Sequence, residues 1–263
     1  MSDLPIFNPL VLIGVGSSFA FSGLFYHLYK DKKDDLVKLK EIPKFIPDQH
    51  LVRILKASPH RKLQYVAVEG LVQADGETLA SQFVPRCFGV IQRIAVEEHW
   101  NVNTRMTNRK ETNNAVPFSL VEPGACITDI TVKVHSPLEA SGSFLERVHC
   151  GVKHAQEGLV NVLLEGLSGE RPTVQKETEE LLRVGTTMTG FGEVVLEGGT
   201  VRLQAPQDGR RYILVPTDYR GFIEGHEGTA NLWKGLTALF GITGASLLAG
   251  AVYSTMGKKD RRD

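Results

Sequence analysis

The sequence predicts an α+β protein, in which a β-rich, mostly antiparallel domain lies between two transmembrane helices. Apolar residues make up 42% of the 263-residue chain, and they concentrate in two charge-free runs near its ends. Between these runs lies a series of short segments rich in strand-forming residues, some of which alternate apolar and polar positions. Glycine and proline residues separate several of these segments, as is typical of turns between strands.

The first charge-free run covers residues 4–29, which contain no Asp, Glu, Lys or Arg. A helix needs about 20 apolar residues to cross a bilayer, and Tyr26 and Tyr29 lie where the chain would leave it. We predict a short cytosolic segment at residues 1–9 and a transmembrane helix at residues 10–29. The residues before the run are acidic rather than basic and no small-residue cleavage site follows it, so an uncleaved anchor is expected rather than a signal peptide.

The second charge-free run predicts a transmembrane helix at residues 235–257. Trp233 and Tyr253 lie near its two rims, where aromatic residues are enriched. A helix buried in a protein core is the alternative for either run. The tail at residues 258–263 is basic, which favours a cytosolic position, and an even number of spans places both termini there. Residues 30–35 agree less well, because they carry as many Asp as Lys residues.

Both predicted spans carry small residues at four-residue spacing. Such stripes let helix backbones approach closely in a lipid environment. They predict that the spans pack together or pair with those of another chain, although Gly and Ala are also common in spans generally. The stripes are Gly14, Ser18 and Ser22 in the first span and Gly241, Ala245 and Ala249 in the second.

The domain predicted at residues 30–234 begins with a charged stretch, residues 31–41, that has a possible helical face. Pro43 and Pro47 interrupt it. Asp48 is then placed to cap a helix at residues 50–57, which would end at Ser58-Pro59.

Most of the remaining domain favours strands. These are predicted at residues 65–72, 89–96, 127–134, 189–196, 200–204 and 211–215. Gly198-Gly199 predicts a hairpin turn. The polar residues 101–114 are predicted to form a loop, and residues 177–184 a helix that ends at Gly185.

The sequence contains no evident catalytic, cofactor-binding or metal-binding set. It lacks a P-loop, an HExxH helix and a GxSxG elbow. The 30 Lys and Arg residues balance the 30 Asp and Glu residues, which argues against a general nucleic-acid binder. Two alternatives stay open: a zinc site formed by His149, Cys150 and His154 with His135 nearby, and a disulfide between Cys126 and Cys150. The ordinary reading of these cysteines is as small buried side chains.

Several motifs in the chain resemble the GIDE-type domain of the mitochondrial-anchored protein ligase family, which comprises ubiquitin and SUMO ligases. The resemblance extends from the first span to the second. The motifs are Tyr65-Val-Ala-Val-Glu-Gly70, Glu77-Thr-Leu-Ala-Ser-Gln-Phe83, Gly89-Val-Ile-Gln-Arg93, Asn114-Ala-Val-Pro-Phe118, Ser168-Gly-Glu-Arg-Pro172, Glu177-Thr-Glu-Glu-Leu-Leu-Arg-Val-Gly185 and Thr189-Gly-Phe-Gly-Glu-Val194.

The resemblance implies a multi-pass protein of the outer mitochondrial membrane, with peroxisomes as a second location. Its domain would face the intermembrane space and both termini the cytosol. It also implies roles in mitochondrial morphology, cell death, and NF-κB and antiviral signalling.

The family's ligase activity depends on a C-terminal RING finger whose zinc ions are held by Cys and His. Residues 258–263 contain neither residue, so no zinc ligand carries over and no cofactor is expected.

Three functions are compatible with these observations. The first is a RING-less module that acts through mitochondrial signalling proteins and pairs with itself or with a RING-bearing relative. The second is a truncated or spliced form of an active RING-type ligase. The third is a structural membrane scaffold.

Overall fold

The computed structural model describes residues 9–100, 107–124, 130–154 and 172–259, and the chain divides into two compact units. One comprises Met1–Ile42 together with Arg220–Asp263, and it contains two long helices. The other, Pro43–Tyr219, contains the strands. This architecture confirms the predicted α+β class, with apolar helices flanking a β-rich domain.

The helical unit is an antiparallel pair of helices, α1 (Pro9–Lys40) and α3 (Tyr219–Lys259). Each helix contains a stretch long and apolar enough to cross a membrane, with a mean hydropathy of 1.6 in α1 and 1.7 in α3, and only 6% of each stretch is buried. At 1.5 Å per residue, the 32 and 41 residues of these helices extend about 48 and 62 Å, against about 30 Å of hydrocarbon. Both helices therefore continue well beyond the apolar stretches.

Small residues bring α1 and α3 into contact. The Ser22 hydroxyl donates a hydrogen bond to the Thr237 carbonyl oxygen at 3.0 Å. A Cβ atom added at Gly244 would lie 3.2 Å from the Ser18 Cβ, and one added at Gly241 would lie 3.3 Å from the Ser22 Oγ. The stripe predicted in the first span is thus the contact face of α1.

The stripe predicted in the second span is only partly correct. Gly241 and Gly244 face α1, whereas Ala245 and Ala249 are exposed. The reason is that residues three apart share a helix face as readily as residues four apart. Spacing of four from Gly241 leads to Ala245, whereas the contact face continues at spacing of three, to Gly244. Aromatic rings extend the contact, with Phe25 5.6 Å from Trp233 and 5.3 Å from Phe240.

The β domain contains two sheets and one short helix, α2 (Gln49–Ala57). The first sheet has the order β1-β2-β6-β7-β11-β10-β12, and β10 also pairs with β2, so five of its strands close into a ring. In the second sheet β9 lies between β4 and β8, and β3 and β5 pair with β4. The strands are β1 (Lys44–Phe45), β2 (Lys62–Ala74), β3 (Leu79–Ala80), β4 (Phe88–Trp100), β5 (Thr107–Ala115), β6 (Phe118–Val121), β7 (Val132–Val134), β8 (Glu146–His154), β9 (Pro172–Arg183), β10 (Thr187–Glu197), β11 (Thr200–Gln204) and β12 (Ile213–Val215).

Most strand pairings in the described residues are antiparallel, as predicted. The exceptions are the parallel pairs β1–β2 and β7–β11. The core includes fully buried side chains such as Phe118, Leu120 and Leu203. The predicted α2 is confirmed: the Asp48 carboxylate accepts a hydrogen bond from the Leu51 amide at 2.8 Å, and Leu51 and Leu55 are fully buried.

The helix predicted at residues 177–184 is wrong, because these residues belong to strand β9 and the start of the following turn. Glu, Leu and Arg have good helix propensity, which made the segment look helical. In the structure β9 has a hydrogen-bonded neighbour on each side, β4 and β8, and this pairing overrides the local preference.

The loop predicted at residues 101–114 is also wrong over the part that the structure describes. Residues 107–114 lie in β5, which pairs with β4 from Ile91↔Ala115 to His99↔Thr107. Residues 101–106 lie outside the described residues, as do residues 127–129 of another predicted strand. Polar composition misled this prediction, because β5 carries Asn, Arg, Lys and Glu yet forms a full strand.

Glycine positions match the predicted turns. Gly198 and Gly199, at φ +57° and +83°, connect β10 and β11, a geometry favoured in two-residue hairpins. Gly192 lies where a Cβ atom would be 2.6 Å from the Gln204 carbonyl oxygen, so its role is close backbone approach.

Candidate functional site

The residues considered for a zinc site do not form one in the described part of the chain. His149 stacks on Phe83 with ring centroids 4.3 Å apart, and Cys150 is an exposed free thiol in the same strand. His135 follows β7 in the other sheet. No group of three metal-ligating side chains occurs among the described residues, which do not include the side chain of His154. Cys126, the other half of the considered disulfide, is also outside them.

The β domain instead contains an open cleft of about 1090 Å³. One wall is the turn that leads into β4, residues 84–88. The floor and opposite side come from the end of β9 and the next turn, residues 181–186. Further lining residues are Thr78, Phe144, Glu146 and Pro216.

The cleft has an apolar floor and a charged mouth. Leu181, Leu182 and Phe144 are buried, whereas Phe88 and Val184 remain 49% and 39% exposed at the rim. Two bonds shape this region: the Val184 amide donates to the Phe88 carbonyl oxygen at 3.2 Å, and the Arg183 guanidinium pairs with the Glu146 carboxylate at 2.7 Å.

A buried carboxylate fixes the chain that precedes the first wall. Glu179 of β9 is fully buried, and its two oxygens accept hydrogen bonds from the Ser81 hydroxyl at 2.6 Å and the Gln82 amide at 3.0 Å. The Gln92 side-chain amide donates to the same carboxylate at 2.6 Å, and the Phe83 amide donates at 3.4 Å. The four donors lie in β4 and the segment that follows β3, so Glu179 ties β9 to both.

These hydrogen bonds keep Glu179 ionised. Burial alone would raise its pKa, but hydrogen bonds from Ser81, Gln82, Gln92 and Phe83 outweigh burial and lower the pKa below its ordinary value. A second buried carboxylate, Glu193 of β10, is neutralised by the Lys62 ammonium at 2.7 Å.

The site that sequence reasoning missed is the cleft and its Glu179 support. Because the sequence predicts a helix at this segment, it gives no expectation that Glu179 is buried. The available signal was the alternation of Glu177, Glu179 and Leu181, which places these residues on one face of a strand. The Ser81 hydroxyl also accepts a hydrogen bond from the Val84 amide at 2.9 Å, which gives the wall a defined turn.

The chemistry of the lining is that of a binding surface. It offers apolar side chains, two guanidinium groups, one carboxylate and the half-buried thiol of Cys87. Arg86 adopts φ +60° and directs the chain into β4. Within the described residues the lining contains no His, and Glu146 is the only carboxylate in it.

Comparisons with known proteins point to one family. The family described as GIDE, E3 ubiquitin ligase, matches residues 94–249. The chain is 38% identical to the zebrafish (Danio rerio) protein "Mitochondrial ubiquitin ligase activator of nfkb 1-A", over 94% of this chain and 73% of that protein. It is 36% identical to the human protein "Mitochondrial ubiquitin ligase activator of NFKB 1", over 89% of this chain and 68% of that protein.

A more distant relative has a similar name. The Drosophila melanogaster protein "Mitochondrial E3 ubiquitin protein ligase 1" is 25% identical over 78% of this chain and 61% of its own length. No solved structure matches the chain significantly. The family match covers more than half of the chain, and the zebrafish and human relatives exceed 30% identity, so the chain belongs to the GIDE E3 ubiquitin ligase family.

Proposed function

We propose that the chain is an outer-mitochondrial-membrane regulator of ubiquitin-dependent signalling that acts through a RING-bearing partner. The processes under its influence would be mitochondrial morphology, cell death, and NF-κB and antiviral signalling, and a second pool would occupy peroxisomes. The observation that carries the proposal is family membership, since the match covers much of the β domain and of α3. The mitochondrial names of the relatives support the location.

In this proposal α1 and α3 cross the membrane with both termini in the cytosol. The apolar stretches of both helices support the crossing. The basic residues 258–263 support the orientation, because basic flanks remain cytosolic. The domain between the spans then faces the intermembrane space.

The partner is invoked because of the chemistry of RING ligases. A RING finger holds the charged conjugating enzyme on a surface built around two zinc ions, each of which needs four Cys or His ligands. Residues 258–263 contain no Cys or His, and the three cysteines of these 263 residues lie at positions 87, 126 and 150, between the apolar stretches. A polypeptide of these 263 residues is therefore expected not to transfer ubiquitin alone.

The exposed small residues of α3 are the proposed contact with the partner's spans. Ala245 and Ala249 are exposed, while Gly241 and Gly244 are occupied by α1. Small side chains on a free face permit close approach of another helix in lipid.

The test is reconstituted ubiquitination with the purified 263-residue chain, activating enzyme, several conjugating enzymes and ubiquitin, with and without a RING-bearing relative. The chain is expected to alter ubiquitin-chain formation only when the relative is present. Replacing Ala245 and Ala249 with Leu is expected to abolish that effect, whereas Gly250→Leu, on another face of α3, is expected to preserve it. Ubiquitin chains above the no-ligase control with the 263-residue polypeptide alone would overturn the proposal.

A second candidate is favoured by the names of the relatives, which are called ubiquitin ligases or activators. In that case the chain is the membrane-anchored part of an active RING-type ligase. The native transcript distinguishes the two candidates, because a RING-coding exon following the codon for Asp263 would favour the second.

A further inference from the structure

We infer that the cleft of the β domain docks an extended peptide segment of a partner protein, in which a carboxylate lies between apolar side chains. This inference does not rest on ubiquitin transfer by the chain. It rests on the shape of the cleft, its apolar surface and the charge at its mouth.

The cleft suits a length of chain better than an enclosed small molecule. It is open to solvent rather than enclosed, and its volume of about 1090 Å³ lies at the upper end of the range of about 300–1,000 Å³ typical of small-ligand sites. Two apolar side chains lie beside each other at its rim, with Phe88 49% and Val184 39% exposed. Apolar side chains of a bound segment would cover both rim residues and the floor formed by Leu181 and Leu182.

The positive charge at the mouth of the cleft favours an acidic residue in the bound segment. Arg183 is already paired with Glu146 at 2.7 Å. Arg86 is exposed and forms no ion pair with any other residue that the structure describes. Among the described residues, the lining therefore carries one positive charge that pairs with no carboxylate, and its complement is a carboxylate.

The wall that carries Arg86 is held in place before any partner arrives. The Ser81 amide donates to the Cys87 carbonyl oxygen at 2.8 Å, and the Ser81 hydroxyl is bound by Glu179 at 2.6 Å. These bonds hold together the two ends of residues 81–87, the segment that contains Arg86. A surface ordered in advance loses less conformational entropy on binding, which favours affinity.

The test uses the full chain in lipid nanodiscs and fluorescein-labelled nonapeptide libraries. Leu, Val or Phe occupies positions 3 and 7, and position 5, which faces the same side of an extended chain, is Glu in one library and Lys in the other. Binding is measured by fluorescence anisotropy, and empty nanodiscs report adsorption to lipid. The Glu library is expected to bind about tenfold more tightly than the Lys library, since exchanging attraction for repulsion at a solvated pair has an effect of that order.

Variants assign the binding to the cleft. Arg86→Glu is expected to reverse the preference between the two libraries. The matched control is Arg61→Glu, because Arg61 is also exposed and also has a positive φ, +53°, but does not line the cleft. Val184→Asp is expected to weaken binding of the Glu library at least tenfold, whereas Val152→Asp, an exposed valine of β8 outside the cleft, is expected to leave it within twofold.

Three results would overturn the inference. The first is no binding of either library up to 1 mM. The second is binding whose charge preference is the same in Arg86→Glu and in the unchanged chain. The third is binding of dodecanoate that depends on Arg86 while the peptides do not compete for it, since the cleft would then take a free fatty acid rather than a peptide.

Discussion

Replacing the buried carboxylate of Glu179 is expected to destabilise the β domain more than any exposed charge substitution in the same strand. In Glu179→Ala the Gln82 amide, the Phe83 amide and the Gln92 side chain lose a charged acceptor inside the protein. Hydrogen bonds to charged groups contribute about 1.5–3 kcal/mol each, and each buried donor left without an acceptor costs about 1–3 kcal/mol, so losing this set of bonds is expected to cost about 3–5 kcal/mol in total. We expect a loss in that range.

Glu179→Gln is expected to cost less, about 1.5–3 kcal/mol. Its carbonyl oxygen can still accept from Gln82 and Gln92, and its amide can turn toward the Ser81 hydroxyl, so the main loss is the charge and the 3.4 Å bond from Phe83. The matched control is Glu180→Gln in the next position, where the carboxylate is 24% exposed and pairs with Arg93 at 3.5 Å and with Arg147 at 3.6 Å. Such a surface pair contributes about 0–1 kcal/mol.

The assay is hydrogen exchange measured by mass spectrometry on the full chain in nanodiscs, with the opening free energy read from peptides covering residues 79–92. An alanine variant whose opening free energy stays within about 0.5 kcal/mol of Glu180→Gln would refute the reasoning, since the network would then contribute no more than a surface ion pair.

The same network predicts a pH dependence with a definite sign. The pKa of Glu179 is lowered in the folded protein, so the unfolded chain takes up its proton at higher pH. The stabilisation is present above the unfolded pKa of about 4.3 and is lost as pH falls through the lowered folded pKa. The difference in opening free energy between the unchanged chain and Glu179→Gln should therefore narrow as the pH is lowered from 7 to below 4. A gap that widens on acidification would contradict this assignment.

Two further predictions concern the helical unit. Alkaline carbonate extraction of mitochondria should leave the protein in the pellet, and its release into the supernatant would contradict membrane insertion. Protease added to intact mitochondria should remove tags at both termini but spare residues 43–219. Cleavage in that range before the outer membrane is ruptured would contradict the proposed topology. Gly244→Leu should separate α1 from α3, because its Cβ would lie only 3.2 Å from the Ser18 Cβ, and cross-linking between cysteines introduced at Gly14 and Leu247 should fall several-fold. The control is Ala245→Leu, at an exposed position of α3. An equal loss of cross-linking in both variants would show that the packing of α1 on α3 does not depend on Gly244.

The parts of the fold that the sequence predicted are those specified by local chemistry. The described part of the first charge-free run, residues 9–29, and the whole of the second run lie within the two long helices. Asp48 caps α2, and Gly198-Gly199 turns the chain between β10 and β11. In each case a few neighbouring residues determine the conformation. Local composition also predicted several strands of the first sheet, because β-branched residues are frequent in them.

The parts that could not be predicted depend on residues far apart in the sequence. Strand β9 has helix-forming residues, and only its pairing with β4 and β8 makes it a strand. Strand β5 is too polar to be recognised without its neighbour β4. The cleft shares this origin, because its walls come from residues 84–88 and 181–186, which are nearly a hundred positions apart. The alternation of Glu177, Glu179 and Leu181 is a local signal for one strand face, but the burial of Glu179 depends on donors that lie in two other segments.

The closed ring of strands in the first sheet gives the two sheets different exposure to unwanted association. In the ring formed by β2, β6, β7, β11 and β10, each strand has a hydrogen-bonded neighbour on both sides along its paired length, so the ring presents little free backbone to another molecule. The second sheet ends at β5 and β8, whose outer edges have no strand partner among the described residues. The charged and amide side chains of β5 disfavour the addition of a strand from another chain at this edge. They therefore help to prevent the domain from polymerising through its open edge.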